Sequence, residues 1–211
     1  MRGKLAAIGV TAAVLLACAP DKPVPTAAFE IRTPLYAMSG GQGDFNLGTH
    51  LTGDEEVLAV PAGAPTPADS RAQGEAIFRV NAEGTQVDFR VIASNIDNVI
   101  MSHIHCGPAG VNGPIRMWLY PVIGATGAPG PNATGPQNGV LASGTFSPTG
   151  IVCPASAVGR DMPLLEAMRE GLTYVNVHTK SHDSPPGTNT NNTGPGDFPG
   201  GEIRGQLDHG R

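Results

Sequence analysis

The chain has 211 residues, among them 29 glycines and 20 prolines, and it carries 13 Lys and Arg against 18 Asp and Glu. Charged residues make up only 15% of the chain, below the ~25% of a typical soluble domain, which argues against a coiled coil or a charged helical bundle. The net charge of −5 and the lack of a basic stripe argue against nucleic-acid binding, which needs a cationic surface. One domain of about 150 residues with flanking tails is expected.

The first 17 residues have the pattern of a signal peptide. Arg2 and Lys4 precede an uncharged run over residues 5–17, which is shorter than the ~20 residues of a membrane span. The run ends in Leu15-Leu16-Ala17-Cys18, which resembles the lipobox of bacterial lipoproteins. That resemblance implies cleavage before Cys18 and lipidation of this cysteine. The alternative is an ordinary signal peptide with an incidental cysteine.

Residues 18–44 then form a predicted tether, because proline and glycine recur along them. A flexible chain of that length spans roughly 30 Å. The lipobox resemblance therefore predicts an extracytoplasmic domain on the cell envelope, with the membrane as a partner through the anchor. In a two-membrane bacterium, the Ala19 that follows the cysteine favours the outer membrane. Residues 208–211 are expected to be a short tail.

Two cysteines remain after Cys18 is set aside, Cys106 and Cys153. An even pair in an oxidising compartment is most simply a disulfide. A free Cys106 thiolate that acts as a metal ligand is the alternative.

Short segments of alternating apolar and polar residues, separated by Gly, Pro and Asn turns, predict an all-β fold. The pattern is typical of an antiparallel Greek-key sandwich or barrel. The eight candidate strands are residues 45–51, 76–80, 87–91, 99–105, 115–120, 140–146, 172–179 and 201–207.

One short helix is expected after residue 160. Asp161 is the predicted cap, Pro163 suits the first turn, and Gly171 is the predicted end. Two long loops, residues 121–139 and 180–199, interrupt the strands, and loops of this length are often functional.

The segment Ser102-His103-Ile104-His105 places two histidines on one face of a strand, because residues i and i+2 project the same way. If Ile104 faces the core, both imidazoles face outward. Their Cα atoms are then ~7 Å apart, which allows them to bind one metal ion together.

A third histidine follows the same rule. Val175 and Val177 are expected in the core, so His178 should share the outer face with the first pair, beneath the 180–199 loop. Three imidazoles suit copper or zinc, and copper is the favoured ion. His182 is a candidate fourth ligand from the loop. The prediction is a surface cluster that can be mutated without loss of the fold.

Other polar groups have simpler interpretations. His50 and His209 are expected to be ordinary surface histidines, and the three metal-site histidines could instead bond loop residues. Asp183 and the Asp54-Glu55-Glu56 run are expected to be solvated turn charges.

Four motifs in order resemble the CHRD domain, which is named from chordin and is common in bacterial secreted proteins. The resemblance covers residues 45–207 and implies a fold more firmly than an activity; in chordin the domain belongs to an extracellular binder of growth factors. The motifs are Leu51-Thr52-Gly53 with Glu56, the segment 103–115, the segment 174–179 and the segment 199–207.

A fainter resemblance is to copper/zinc superoxide dismutase, which also has a His-x-His strand, a nearby disulfide cysteine and a late Val-His strand. His103, His105, Cys106 and His178 match in type and order. The 121–139 loop contains no histidine, so the zinc ligands and the bridging histidine of that family are missing, and its substrate-guiding arginine has no clear match.

We therefore expect a lipid-anchored, extracytoplasmic CHRD-domain binding protein with a copper site. A protein partner is possible, although the sequence does not identify one. The alternatives are an oxidoreductase of the dismutase kind, which is the less favoured interpretation, and a structural or adhesive module that binds no metal.

Overall fold

The computed structural model describes residues 45–60, 62–121, 124, 135–180 and 193–207. Eight strands form one sheet, in which every neighbouring pair is antiparallel. Each of them overlaps one of the eight predicted strands. They are β1 (Phe45–Thr52), β2 (Gln73–Val80), β3 (Val87–Asp97), β4 (Val99–Cys106), β5 (Ile115–Tyr120), β6 (Pro136–Phe146), β9 (Thr173–Thr179) and β10 (Ile203–Gln206).

The sheet curls into a nearly closed barrel. Its strand order is β5-β4-β9-β10-β1-β2-β3-β6, and the two edge strands β5 and β6 approach each other. Strands that are distant in sequence are neighbours at β4–β9 and β10–β1, as in a Greek key. This arrangement brings the two histidine-bearing strands, β4 and β9, side by side.

The alternation of apolar and polar residues along the strands explains which side chains form the core. In β2 the apolar side chains of Ala76, Phe78 and Val80 are fully buried, while the residues between them are more exposed. Phe89 of β3 packs against Phe78 with ring centroids 6.4 Å apart. The barrel interior is therefore filled by one face of each strand, as the period of two predicts.

A small appendage packs beside the barrel. It consists of β7 (Val152–Cys153), α1 (Ala155–Val158), β8 (Met162–Pro163) and α2 (Leu164–Arg169). The predicted helix is α2, and α1 is a second short helix that the sequence did not indicate. Asp161 as the cap of the predicted helix was wrong: its carboxylate accepts the backbone N–H of Ala155, at the start of α1, and Pro163 precedes α2.

A disulfide joins Cys106 to Cys153, with Cα atoms 5.6 Å apart. It ties the end of β4 to β7, and both cysteines are fully buried on the core side. The disulfide interpretation is confirmed, and the alternative of Cys106 as a free thiolate ligand was wrong.

Across the described parts of the chain, no helix has both the length and the apolar character needed to cross a lipid bilayer.

Candidate metal centre

Polar side chains line the outer face of β4, β9 and β10. Ile104, Val175 and Val177 are fully buried in the core, so their neighbours along each strand point the opposite way. The strand register places His103 opposite Asn176. The alternation argument for the direction of these side chains therefore agrees with the structure.

The prediction that these histidines lie on the surface was wrong. The exposed fractions of His103, His105 and His178 are 0%, 8% and 6%. The reason is that loop segments fold back over the outer face of the sheet: the loop that contains Gly113 contacts His105, and the segment that contains Pro199 contacts His178. Alternation determines which way a side chain points, and the loops determine whether it meets solvent.

Two backbone carbonyls orient two of the imidazoles. Nδ1 of His105 lies 2.7 Å from the carbonyl oxygen of Gly113, and Nδ1 of His178 lies 2.9 Å from that of Pro199. A carbonyl can only accept, so each Nδ1 carries the proton and donates it. Each Nε2 then presents a lone pair, and both Nε2 atoms are buried without a hydrogen-bond partner among the described residues.

The three histidines converge on one point. One ring nitrogen from each of His103, His105 and His178 lies within 4.8 Å of the other two. Two nitrogens on opposite sides of one ion lie about 4 Å apart, so shifts of under about 1 Å would let all three bind one ion. In the part of the chain that the structure describes, this is the one group of three or more His, Cys, Asp or Glu with such geometry.

Burial keeps the imidazoles neutral. Burial, together with a smaller effect of the neighbouring His178 and His105, lowers the pKa of His103 to about 2. Burial also lowers the pKa of His105 and of His178 to about 4, although the carbonyls of Gly113 and Pro199 act in the opposite direction. A neutral imidazole is the form that binds a metal ion.

Aromatic rings pack against two of the three histidines. The ring of Trp118, the only tryptophan in the chain, meets His103 edge-on with centroids 4.2 Å apart. The ring of Tyr174 is stacked on His105 at 4.7 Å, and the Arg204 guanidinium lies 3.4 Å from the centre of the Tyr174 ring. These contacts limit how far the imidazoles can rotate.

A buried carboxyl group and a buried guanidinium, those of Glu56 and Arg204, adjoin the centre. The Glu56 carboxylate lies against the backbone of Gly201, and burial raises the pKa of Glu56 to about 7 while Arg204 and the Asn176 amide lower it. Treating Glu56 as a solvated turn charge was therefore wrong, since the carboxylate oxygen Oε1 is buried. Its neighbours Asp54 and Glu55 are exposed, as expected.

The sequence interpretation identified the three histidines but missed the residues that surround them. Tyr174 and Asn176 alternate with Val175 and Val177, so the same period that identified His178 places them on the ligand face. Arg204 lies opposite Asn176 on β10, and its burial depends on the 107–114 loop, whose Val111 carbonyl accepts from the guanidinium. Nothing in the local pattern of β10 signals that contact.

The remaining candidates are placed as follows. His50 is exposed and bonds Glu75 through Nδ1, as expected for a surface histidine. His182, Asp183 and His209 lie outside the described residues, so the prediction that His182 is a fourth ligand stays a prediction.

A model of the CHRD family, described as the CHRD domain, matches residues 47–187, which is more than half of the chain. The match includes all three histidines. No curated protein matches the chain, and no solved structure matches it.

Proposed function

The chain belongs to the CHRD-domain family, and we propose that it is an extracytoplasmic binding module that holds one transition-metal ion through His103, His105 and His178. The observation that carries this proposal is the convergence of three ring nitrogens within 4.8 Å of one another. The two hydrogen bonds from Nδ1 to carbonyl oxygens support it, because histidines that bind metal usually donate their other ring N–H in this way.

Copper is the ion we propose. An all-imidazole site binds Cu(II) more tightly than the other divalent first-row metals, with zinc as the main competitor. Three protein ligands leave at least one coordination position for water or another small ligand.

The location is also part of the proposal. A lipid on Cys18 and the tether that follows would hold the domain at the envelope surface. Such a position suits a protein that encounters metal ions outside the cytoplasm. The support is the lipobox-like segment 15–18, together with the disulfide, which is typical of proteins from oxidising compartments.

Copper titration followed through Trp118 tests the metal site. Because the indole packs against His103, paramagnetic Cu(II) bound there should quench its fluorescence at one equivalent. Closed-shell Zn(II) should bind without comparable quenching and should compete. His103→Ala and His178→Ala should each abolish the stoichiometric quenching, whereas the exposed His50→Ala should not change it.

Circular dichroism and melting curves accompany this test, because both ligand histidines are buried. His178→Ala leaves the Pro199 carbonyl without its donor, which costs about 1–3 kcal/mol. The proposal is wrong if the folded wild-type protein binds no copper or zinc, or if a folded His103→Ala protein binds as tightly as wild type.

A further inference from the structure

His103 differs from the other two ligands, because no carbonyl orients it. Both of its ring nitrogens are buried without a hydrogen-bond partner among the described residues. A metal ion can occupy only one of them. The other nitrogen of the neutral ring then carries a proton, and a buried N–H without an acceptor costs about 1–3 kcal/mol.

Asn176 is placed to supply the acceptor. It lies directly opposite His103 in the β4–β9 register and is 3% exposed. Side chains at opposite positions of an antiparallel pair have Cβ atoms about 5 Å apart. The amide oxygen Oδ1 of Asn176 is itself buried without a partner, so an unused acceptor faces an unused donor.

The same amide adjoins the buried carboxylate. On β10 Arg204 lies opposite Asn176, and Arg204 acts on the charge of Glu56. After the effect of burial, interaction with the Asn176 amide is also among the influences on the pKa of Glu56, His103 and His105. The groups are thus adjacent, although the oxygens named above and the His103 nitrogens do not meet strict hydrogen-bond geometry in the structure.

We propose that Asn176 is the positioning residue of the metal centre: its Oδ1 accepts the free N–H of His103, and its amide N–H donates to the Glu56 carboxylate. This inference rests on the proposed metal site. These two hydrogen bonds of Asn176, called the relay below, determine which nitrogen of His103 faces the ion. The Gly113 and Pro199 carbonyls do the same for the other two ligands. All three imidazoles are then oriented by an acceptor on the protein.

Copper affinity measured by competition with a chelator tests the relay in the full mature chain. Asn176→Ala should weaken binding 10- to 100-fold, the usual effect of removing a partner of a metal-bound histidine. Asn176→Asp keeps an acceptor for His103 but loses the N–H that donates to Glu56, so its affinity should lie between those of Asn176→Ala and wild type. Asn46→Ala, a partly buried asparagine on β1, is the matched control and should have no effect.

A second measurement separates positioning from mere packing. In the zinc-loaded wild-type protein, nitrogen-15 NMR should show one His103 tautomer whose free N–H exchanges slowly with water. Asn176→Ala should make that proton exchange rapidly, and Asn176→Asp should retain its protection. If Asn176→Ala does not fold, the exchange rate of the His103 N–H in the wild-type protein decides the question by itself.

The outcomes distinguish the two proposals. If wild-type protein binds neither copper nor zinc, both fail. If it binds metal but its His103 N–H exchanges rapidly, or if a folded Asn176→Ala protein keeps wild-type affinity, the metal site stands and the positioning role of Asn176 is overturned.

Discussion

Burial changes the pH at which the three ligand imidazoles take up protons. The sequence alone predicts that metal affinity falls as the pH drops through about 6.5, the ordinary pKa of histidine. In the structure, burial lowers the pKa of His105 and His178 to about 4 and that of His103 to about 2. Protons therefore compete with the metal only near pH 4 and below.

We accordingly expect chelator competition to give nearly equal copper affinities at pH 7 and pH 5.5, with a steep loss near pH 4. Three histidines of ordinary pKa would instead lose roughly 10²- to 10³-fold between pH 7 and pH 5.5. A loss of that size would show that the imidazoles are solvated rather than buried.

The same shifts link pH to stability. A lowered histidine pKa in the folded state means that the unfolded chain binds more protons than the folded chain. The contribution of the three neutral imidazoles to the free energy of unfolding is therefore complete above about pH 6.5 and is lost as the pH falls towards 4. Glu56 acts in the opposite sense: its pKa is raised to about 7, so its contribution is present below about pH 4.5 and is lost as the pH rises through 7.

Gly201 tests whether the Glu56 carboxylate is as closely packed as described. Its φ is +132°, and a Cβ there would clash with the Glu56 carboxylate oxygen Oε1. Gly201→Ala should therefore destabilise the domain by about 2–3 kcal/mol in urea unfolding, because the steric conflict with Glu56 adds to the backbone strain. Gly110→Ala is the control. The φ of Gly110 is +74°, but no atom lies within 4 Å of where the Cβ would be. The free energy of unfolding should therefore fall only by the ~1 kcal/mol that a left-handed backbone costs an alanine. Equal effects of the two substitutions would contradict the close packing.

At the level of elements, the disulfide holds β4 next to the metal centre. Cys106 follows His105 directly, and its bond to Cys153 closes a loop over a separation of 47 residues. Removing such a crosslink costs about 4 kcal/mol in the chain-entropy model. Reduction, or the double substitution of both cysteines by alanine, should clearly lower the melting temperature. Detection of two titratable thiols in the native oxidised protein would refute this expectation.

The period-two pattern accounts for what the sequence could predict. It identified all eight barrel strands and the face on which each ligand histidine lies, because alternation is a local property. It did not predict burial of the centre, since that depends on non-local contacts such as Gly113 with His105 and Pro199 with His178. Asp161 shows the same limit on a smaller scale: a cap next to a predicted helix instead bonds Ala155.

At the level of the whole molecule, the anchor is a separate prediction. Since residues 15–18 resemble a lipobox, Cys18→Ser should release the mature domain from the membrane fraction or block its processing. Fractionation followed by immunoblotting measures this. The domain should still bind copper when released, because all three histidines of the metal centre stand on strands of the barrel domain, far along the chain from Cys18. A normally cleaved Cys18→Ser protein that stays with the membranes would refute lipidation.

The metal centre combines two kinds of structure. Its three histidines stand on the adjacent strands β4 and β9, and the loop segments 107–114 and 193–200 shield them from solvent. All seven residues of β9 are buried, and β9 is hydrogen-bonded to β4 and β10 on either side. An ion held there cannot leave by motion of these strands without disrupting the barrel. The residence time of the ion would therefore be set by how often the 107–114 and 193–200 segments lift. These loops would govern the rate of metal exchange as well as orienting two of the imidazoles through the Gly113 and Pro199 carbonyls.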